Sequence, residues 1–176
     1  DAWILEPLGM VDGGYFLSDL SQEPAVGYSG GWQTIGDVWR AWPHYGYPTY
    51  PDGLMRSSAT DMARYLAAVA GDGTLSDGED GVTVLTPGSV DEMLAVDPAY
   101  GTDEDGQAVV WSMREMGGRT LYGHNGGDWG SATELWFDRE TGAGSVVMLN
   151  AEPGGRDWDR LLELEVALLD RVDRVP

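Results

Sequence analysis

The sequence predicts an α+β fold in which an antiparallel sheet carries a C-terminal helix packed on one face. Between residues 106 and 150, short segments of strand-forming residues alternate with Gly-containing turns, a pattern typical of an antiparallel meander. Residues 157–173 then repeat leucines at the spacing of an amphipathic helix. A chain of 176 residues is long enough to bury a hydrophobic core, so we expect one domain over residues 1–176.

The first 56 residues are predicted to be mostly irregular. Trp3-Ile4-Leu5 resembles the end of a helix, which should stop before Pro7 because proline disfavours helical geometry at the residue preceding it. Residues 11–56 combine Gly, Pro and aromatic side chains with little periodicity, so we expect a long connection with short strands. A connection of that length is unusual in a compact domain and often forms the wall of a site.

Residues 57–95 are predicted to hold two helices. The first covers residues 57–71, and Ser58 followed by Asp61 resembles a capping box at its start. The second is shorter and begins at Pro87, because proline is favoured at the first position of a helix. The polar loop between them contains acidic residues without the spacing of a calcium loop, so we expect no metal there.

Four strands and a helix complete the prediction. The strands are expected at residues 108–114, 119–123, 131–137 and 144–150, with Gly117-Gly118 as the turn between the first two. In the C-terminal helix, apolar side chains should line one stripe while acidic residues take the opposite face. The stripe consists of Trp158, Leu161, Leu162, Leu168, Leu169 and Val172.

Composition excludes several classes of function. The formal net charge is −20, and all ten basic residues are arginine. Such a surface repels nucleic acids and anionic membranes. Its acidic, lysine-free composition is typical of a salt-rich or high-GC source, and a field that attracts cationic substrates is the functional alternative. Cysteine is absent, which removes disulfides, thiol nucleophiles and cysteine-based zinc sites. We expect no cofactor and no membrane span.

Several segments, taken in order, resemble the serine β-lactamase and penicillin-binding-protein family, in its branch of class C β-lactamases, esterases and DD-peptidases. The matching segments are Ile4-Leu5-Glu6-Pro7-Leu8-Gly9-Met10, Ala25-Val26-Gly27-Tyr28, Pro51-Asp52-Gly53-Leu54 with Ser57 and Asp61-Met62-Ala63, and Gly123-His124-Asn125-Gly126-Gly127. The resemblance covers nearly the whole chain but only the second part of the family's length. It implies a partial β-lactamase/transpeptidase-like fold and a periplasmic or extracellular location.

The resemblance also implies a site around the last of these segments. His124 stands where β-lactamases have lysine, Asn125 and Gly126 complete the third catalytic box, and the backbone N–H of Gly127 would be one of two oxyanion donors. Asn125 has no hydroxyl to hold a drug's carboxylate, so the box favours the esterase and peptidase branch. Trp129 directly follows the box and is expected to flank the cleft.

The aromatic residues of the long connection leave two interpretations open. Tyr45 and Tyr47, with Trp39, Trp42 and Tyr50, either line an acyl-binding wall or stiffen a loop rich in Gly and Pro. His44 lies among them and is interpreted as structural.

Members of the family carry a Ser-x-x-Lys box, which this chain cannot contain because it has no lysine. We therefore expect the chain to be inactive alone and to need a partner, either a missing N-terminal segment or a second copy that completes the sheet. The substrate would be a small-molecule ester, amide or peptide. Two alternatives stay open: a non-catalytic binding or scaffolding module, and new catalysis around His124 with Glu115, Glu134 or Asp128 as its orienting group.

Overall fold

The computed structural model describes residues 2–29, 38–76, 80–97, 99–100, 105–154 and 157–172. Its helices are α1 (Ala59–Ala70), α2 (Pro87–Leu94) and α3 (Asp157–Val172). Four short strands come first: β1 (Gly27–Ser29), β2 (Arg40–Trp42), β3 (Thr74–Leu75) and β4 (Val82–Thr83). The remaining strands are β5 (Asp105–Gln107), β6 (Ser112–Met116), β7 (Arg119–Asp128), β8 (Ser131–Asp138) and β9 (Gly144–Leu149).

An antiparallel sheet dominates the fold, as predicted. Its strands follow the order β5-β6-β7-β8-β9, and each is antiparallel to its neighbour. The two glycines of the predicted turn, Gly117 and Gly118, both have positive φ angles of 60° and 76°, as a two-residue hairpin turn requires. β1–β2 and β3–β4 form separate two-stranded pairs. The α+β fold class is therefore confirmed.

Helices cover both faces of the sheet. On one face, α1 and α2 bury a cluster with Phe137 of β8 and with Trp111, which directly precedes β6. On the other face, Leu169 of α3 packs against Leu121 and Trp136. A third cluster joins α1 to the N-terminal segment through Leu8, Met10, Ala68 and Leu75. The sheet is thus held between two helical layers, which leaves its strand edges as the places where a ligand can approach the backbone.

Several strand boundaries differ from the prediction. β6 begins at Ser112 rather than at residue 108, because Ala108 donates its N–H to the carbonyl of Trp111 (2.8 Å) and the chain bends there. β5 precedes it as an edge strand that the sequence did not predict, and β3–β4 lies in a segment that we expected to be a loop. Most importantly, β7 does not end at Gly123 but continues to Asp128, through the whole predicted box.

The N-terminal helix end also lies later than predicted. Helical turns continue past Pro7 and finish at Gly9, whose φ is +65°. Gly9 donates to the carbonyl of Glu6 (3.0 Å) and Met10 to that of Leu5 (2.8 Å), the pair of bonds that defines a Schellman motif. Proline is tolerated because a single helical turn needs few N–H donors, and Gly9 supplies the left-handed residue that ends it.

The predicted capping box of α1 is half correct. Ser58 accepts a hydrogen bond from the backbone N–H of Asp61 (3.1 Å), as expected of an N-cap. The Asp61 carboxylate, however, accepts from the backbone N–H of Asp12 (2.7 Å) instead of returning to Ser58. Asp61 is buried and so ties the N-terminal segment to the start of α1.

α3 places an acidic residue in its buried stripe, contrary to the prediction that acids take only the opposite face. Glu165 has no exposed surface and accepts a hydrogen bond from the Ser145 hydroxyl of β9, while its Oε1 has no partner among the described residues. The carboxylate of Glu134, on β8, is also buried nearby. Burial raises the pKa of both carboxyls, and the proximity of Glu134 raises that of Glu165 further.

We expect Glu165→Gln to stabilise the protein at pH 8 by about 1–3 kcal/mol, because the amide never ionises, whereas the buried carboxyl at this pH must either carry a charge in an apolar site or hold a proton against the solvent. A raised pKa in the folded state means that the native protein binds the proton more tightly. The stability that this contributes is complete below the unfolded pKa and is lost as pH rises through the folded pKa. The variant, with nothing to ionise there, should avoid that loss.

Urea unfolding of both proteins between pH 4 and pH 8 measures this effect. The advantage of the variant should grow with pH, whereas Glu163→Gln, on the exposed side of α3, should show no such trend. A Glu165→Gln difference that is constant across the pH range would contradict the burial of an ionisable pair.

Candidate active site

The open edge of β7 is the central feature of the site. β6 pairs with β7 only as far as Ser112 opposite Gly123. From His124 to Asp128, β7 pairs with β8 on one side, and no other strand of the described chain pairs with its second side. The N–H and C=O groups of alternate residues point to that edge, have no partner strand in the described chain, and can bind an extended ligand.

Strand alternation divides the predicted box between the two faces of the sheet. His124, Gly126 and Asp128 lie on the face that α1 and α2 cover further along the sheet. Asn125 and Gly127 lie on the α3 face, where a Cβ on Gly127 would meet the Trp158 ring at 3.3 Å. The box thus presents His124 and a glycine to one side and rests on the start of α3 on the other.

The His124 ring is exposed, and its Nδ1 contacts the carbonyl oxygen of Asn125. Because a carbonyl oxygen only accepts hydrogen bonds, Nδ1 carries the proton in this contact. Nε2 is then the ring atom that can accept a proton or, when protonated, donate to a ligand.

Four aromatic side chains form a wall beside the open edge and line a cleft of about 880 Å³. This aromatic wall consists of Trp42, Tyr45, Tyr47 and Trp129. Trp42 of β2 stacks on Trp129, with ring centroids 5.1 Å apart and an interplanar angle of 18°. Tyr45 lies 6.0 Å from the Trp129 ring and 6.3 Å from that of Tyr47. The Tyr45 hydroxyl also donates to the carbonyl of Trp129 (3.4 Å). Of the two interpretations left open above, these contacts favour a wall that faces the cleft.

Two sets of contacts to backbone atoms hold this wall against the sheet. Arg56 donates to the carbonyl oxygens of Tyr45 (3.0 Å), Tyr15 (3.3 Å) and Leu54 (3.4 Å), which ties the aromatic loop to the N-terminal segment. At the far end of β7, Gly130 (φ +79°) approaches Gly27 so closely that a Cβ on either would lie within 3.0 Å of the other's backbone. Only glycine permits this contact, which fixes the turn carrying Trp129.

Asp128 gives the cleft a negative charge next to the aromatic wall. Its carboxylate accepts a hydrogen bond from the Trp129 backbone N–H (2.8 Å). Burial, followed by the charge and hydrogen bonding of Asp128, raises the pKa of Tyr45 to about 12. The pKa of Tyr47 is raised by the same causes. Both tyrosines therefore remain protonated at neutral pH, and they serve as hydrogen-bond donors rather than as bases.

The cleft brings together the residues of the predicted box and most of the predicted aromatic residues, but neither Trp39 nor Tyr50, which instead packs against Tyr15 and Phe16. The lining includes His124, Asn125, Gly126 and Gly127 of the box together with Trp129, Tyr45 and Tyr47. It also includes His44, which we interpreted as structural, and Arg56, which no sequence signal distinguished. Asp128 was predicted only as an orienting group for His124. A signal was available, because Asp128 lies two residues beyond Gly126 and strand alternation places both on the cleft face.

The structure does not favour new catalysis centred on His124. Glu115 accepts a hydrogen bond from Thr120, and Glu134 accepts one from the indole N–H of Trp136 (2.7 Å) on the α3 face. Asp128 bonds to the Trp129 N–H. In the part of the chain that the structure describes, none of the three hydrogen-bonds to the His124 ring. Nor does any group of three or more acidic or histidine side chains among those residues form a metal site.

Sequence comparison identifies the family. The profile of the β-lactamase family matches residues 1–169. The chain belongs to the β-lactamase family. A search of curated proteins finds no match. Among the described residues of this β-lactamase-family chain, no helix has both the length and the apolar character needed to cross a membrane.

Solved structures share the fold at low sequence identity. A D-stereospecific amidohydrolase from Streptomyces sp. is 19% identical with a TM-score of 0.70, covering 93% of this chain and 46% of its own. A penicillin-binding protein homologue from Pyrococcus abyssi, described as octameric, is 21% identical with a TM-score of 0.69, covering 98% and 40%. A class C β-lactamase is 12% identical with a TM-score of 0.64, covering 98% and 49%. The chain thus spans less than half the length of these three proteins.

Proposed function

We propose that this chain forms one wall of an acyl-transfer site in a serine hydrolase of the esterase or peptidase type. The observation that carries the proposal is the open edge of β7 from His124 to Asp128, which faces a cleft within a β-lactamase-family fold. A substrate lying along this edge would be bound by backbone hydrogen bonds, as an added strand is.

Each residue of the box has a distinct proposed role. His124 donates a hydrogen bond, or a positive charge when protonated, to the substrate from the cleft face. Gly126 lets the substrate approach the strand, since a Cβ there would project on the His124 side, 2.8 Å from Thr133 Oγ1. The backbone N–H of Gly127 is one of the two oxyanion donors. Asn125 is the middle residue of the box, between His124 and Gly126.

The nucleophile is proposed to come from a Ser-x-x-Lys segment outside these 176 residues, because the chain contains no lysine. That segment, or a second copy of the chain, would complete the sheet. The names of two similar structures, a D-stereospecific amidohydrolase and a D-amino acid amidase from Ochrobactrum anthropi (20% identical, TM-score 0.68, 99% of this chain, 50% of that one), support an amide as substrate. The octameric penicillin-binding protein homologue supports assembly of copies as the alternative.

We expect the purified chain to form no covalent adduct with a fluorophosphonate or a fluorescent penicillin, because no lysine is present to activate a serine. Joining or mixing the chain with a segment that carries the Ser-x-x-Lys box should give one adduct per chain. His124→Ala in that assembly should slow acylation by about 10²-fold. Intact-mass spectrometry measures all three results.

A stoichiometric adduct on the isolated chain would overturn this mechanism, since one of its own serines would then be activated without lysine. An assembly that binds substrate yet forms no adduct would instead favour the second candidate, a non-catalytic binding module. The aromatic-walled cleft supports that candidate, because the chain forms it from its own residues.

A further inference from the structure

We propose that the cleft holds a subsite for a positively charged ammonium group on the substrate, with Asp128 as its counter-ion and the aromatic wall as its surround. This inference deepens the proposed function and rests on it, because it names the substrate class as amides, esters or peptides that carry a free amine. Three independent observations support the subsite: the position and partners of Asp128, the arrangement of the rings, and the immobilisation of Arg56 in the same cleft.

The first observation is the position and partners of Asp128. It ends β7 on the same face as His124 and Gly126, so its carboxylate lies along the line that a bound substrate would follow. Within the described chain no arginine forms an ion pair with it. A carboxylate accepts about four hydrogen bonds. The Trp129 N–H occupies one of these positions, and the others are open to a ligand; Tyr45 and Tyr47 lie close enough for Asp128 to raise the pKa of both hydroxyls.

The second observation is the set of rings around that carboxylate. Trp42, Tyr45, Tyr47 and Trp129 all line the cleft, and 58% of the Trp129 surface is exposed. Ring faces attract ammonium groups, most strongly those of tryptophan, and the attraction adds to that of a nearby carboxylate. A neutral acyl group would contact the rings but would have no charge attraction to Asp128.

The third observation concerns Arg56, the cation of the same cleft. Its guanidinium donates to three backbone carbonyls, which fixes it as a support of the aromatic loop. A second acidic residue, Asp52, also lines the cleft, and its charge contributes to the raised pKa of Tyr47. With a chain charge of −20 around it, this end of the cleft attracts cations and repels a carboxylate ligand.

Two amides that differ only in the ammonium group test the proposal. Phenylalanine amide and 3-phenylpropanamide are titrated into the ¹⁵N-labelled chain at pH 6, below the usual pKa of an α-amine (about 7.7–8.0) and above that of Asp (about 3.9). The indole N–H signals of Trp42 and Trp129 report binding. We expect the cationic amide to bind at least about tenfold more tightly than the neutral one, with 3-phenylpropionate weakest.

Asp128→Asn should abolish the preference for the cation, while Glu163→Gln, which removes the same charge from the exposed face of α3, should retain it. The Asn variant should also lower the pKa of Tyr45, a check that needs no ligand and shows that the fold is intact. Should Asp128→Asn fail to fold, Trp129→Leu, at a largely exposed position, provides the second variant and should weaken binding of the cationic amide.

Equal binding of the two amides, binding of neither, or a cation preference that survives Asp128→Asn would overturn the subsite. These outcomes are separate from those for the proposed function. Adduct formation by the completed hydrolase without a cation preference would remove the subsite alone. A preserved cation preference in a chain whose completed form gives no adduct would remove the catalytic proposal and keep the subsite.

Discussion

Replacing Trp136 with alanine is expected to lower the free energy of unfolding by about 3–5 kcal/mol, the range for deleting a large buried aromatic side chain. Trp136 is fully buried between β8 and α3, where it packs with Leu121 and Leu169. Its indole N–H donates to Glu134 Oε2 (2.7 Å), and the Arg114 guanidinium lies 5.0 Å from its ring centroid. The substitution therefore opens a cavity and also leaves a buried carboxylate without its donor.

Two further variants separate these contributions. Trp136→Phe keeps most of the ring and removes the N–H, so it should cost roughly 1–3 kcal/mol. That cost should be larger at pH 8 than at pH 5, because the indole hydrogen bond lowers the pKa of Glu134 and so favours its ionised form. Trp3→Ala, at a side chain that is 86% exposed, should change stability by less than about 0.5 kcal/mol. Guanidinium unfolding that ranks the three variants differently would contradict the packing of α3 on the sheet.

Local sequence signals predicted the helices and the order of the strands well. α2 begins at Pro87 and α1 has Ser58 as its N-cap because a proline and a hydroxyl act within a single turn. α3 was predictable from its leucines at helical spacing. In each case the determining interaction joins residues close together in the sequence.

The misplaced features depend on contacts between distant residues. β5 and the hairpin β3–β4 are two or three residues long, too short for a periodic pattern. Asp61 was assigned to its own helix, but its partner is Asp12, 49 residues away. Glu165 lies four residues from both Leu161 and Leu169, in the buried stripe by spacing, and only its acidic side chain suggested the exposed face; its hydrogen-bond partner Ser145 lies 20 residues away on β9. No local rule gives these partners, because each requires the tertiary arrangement.

The candidate site divides in the same way. The resemblance predicted a site at residues 123–127, and the position of Trp129 just after them predicted that it flanks the cleft. Strand pairing was needed to show that β7 runs through the box and that its edge is open beyond Gly123. Register was also needed to place Asp128 beside the aromatic wall, since Tyr45 and Asp128 are far apart in the sequence.

The glycines of the box are expected to separate stability from ligand binding. Gly123 lies opposite Trp136, and a Cβ there would be 2.2 Å from the Leu135 carbonyl oxygen and 2.3 Å from the Trp136 ring. Neither atom can move away without disturbing the sheet, so Gly123→Ala should destabilise the protein by about 3 kcal/mol, the upper part of the usual range for overpacking.

Gly126→Ala provides the matched variant three residues further along the same strand. Its Cβ would approach only Thr133 Oγ1 at 2.8 Å, and a threonine side chain can rotate. We expect a loss of stability below about 1 kcal/mol, together with a several-fold weaker affinity for phenylalanine amide because the added methyl group enters the cleft. Urea unfolding and the amide titration measure the two effects on one pair of proteins.

If Gly123→Ala unfolded at the same urea concentration as the wild type, the pairing of β7 with β8 would be wrong. If Gly126→Ala bound the amide as tightly as the wild type, ligands would not lie along this edge. The pair therefore tests whether a single strand supports the core with one face and binds the substrate along its open edge.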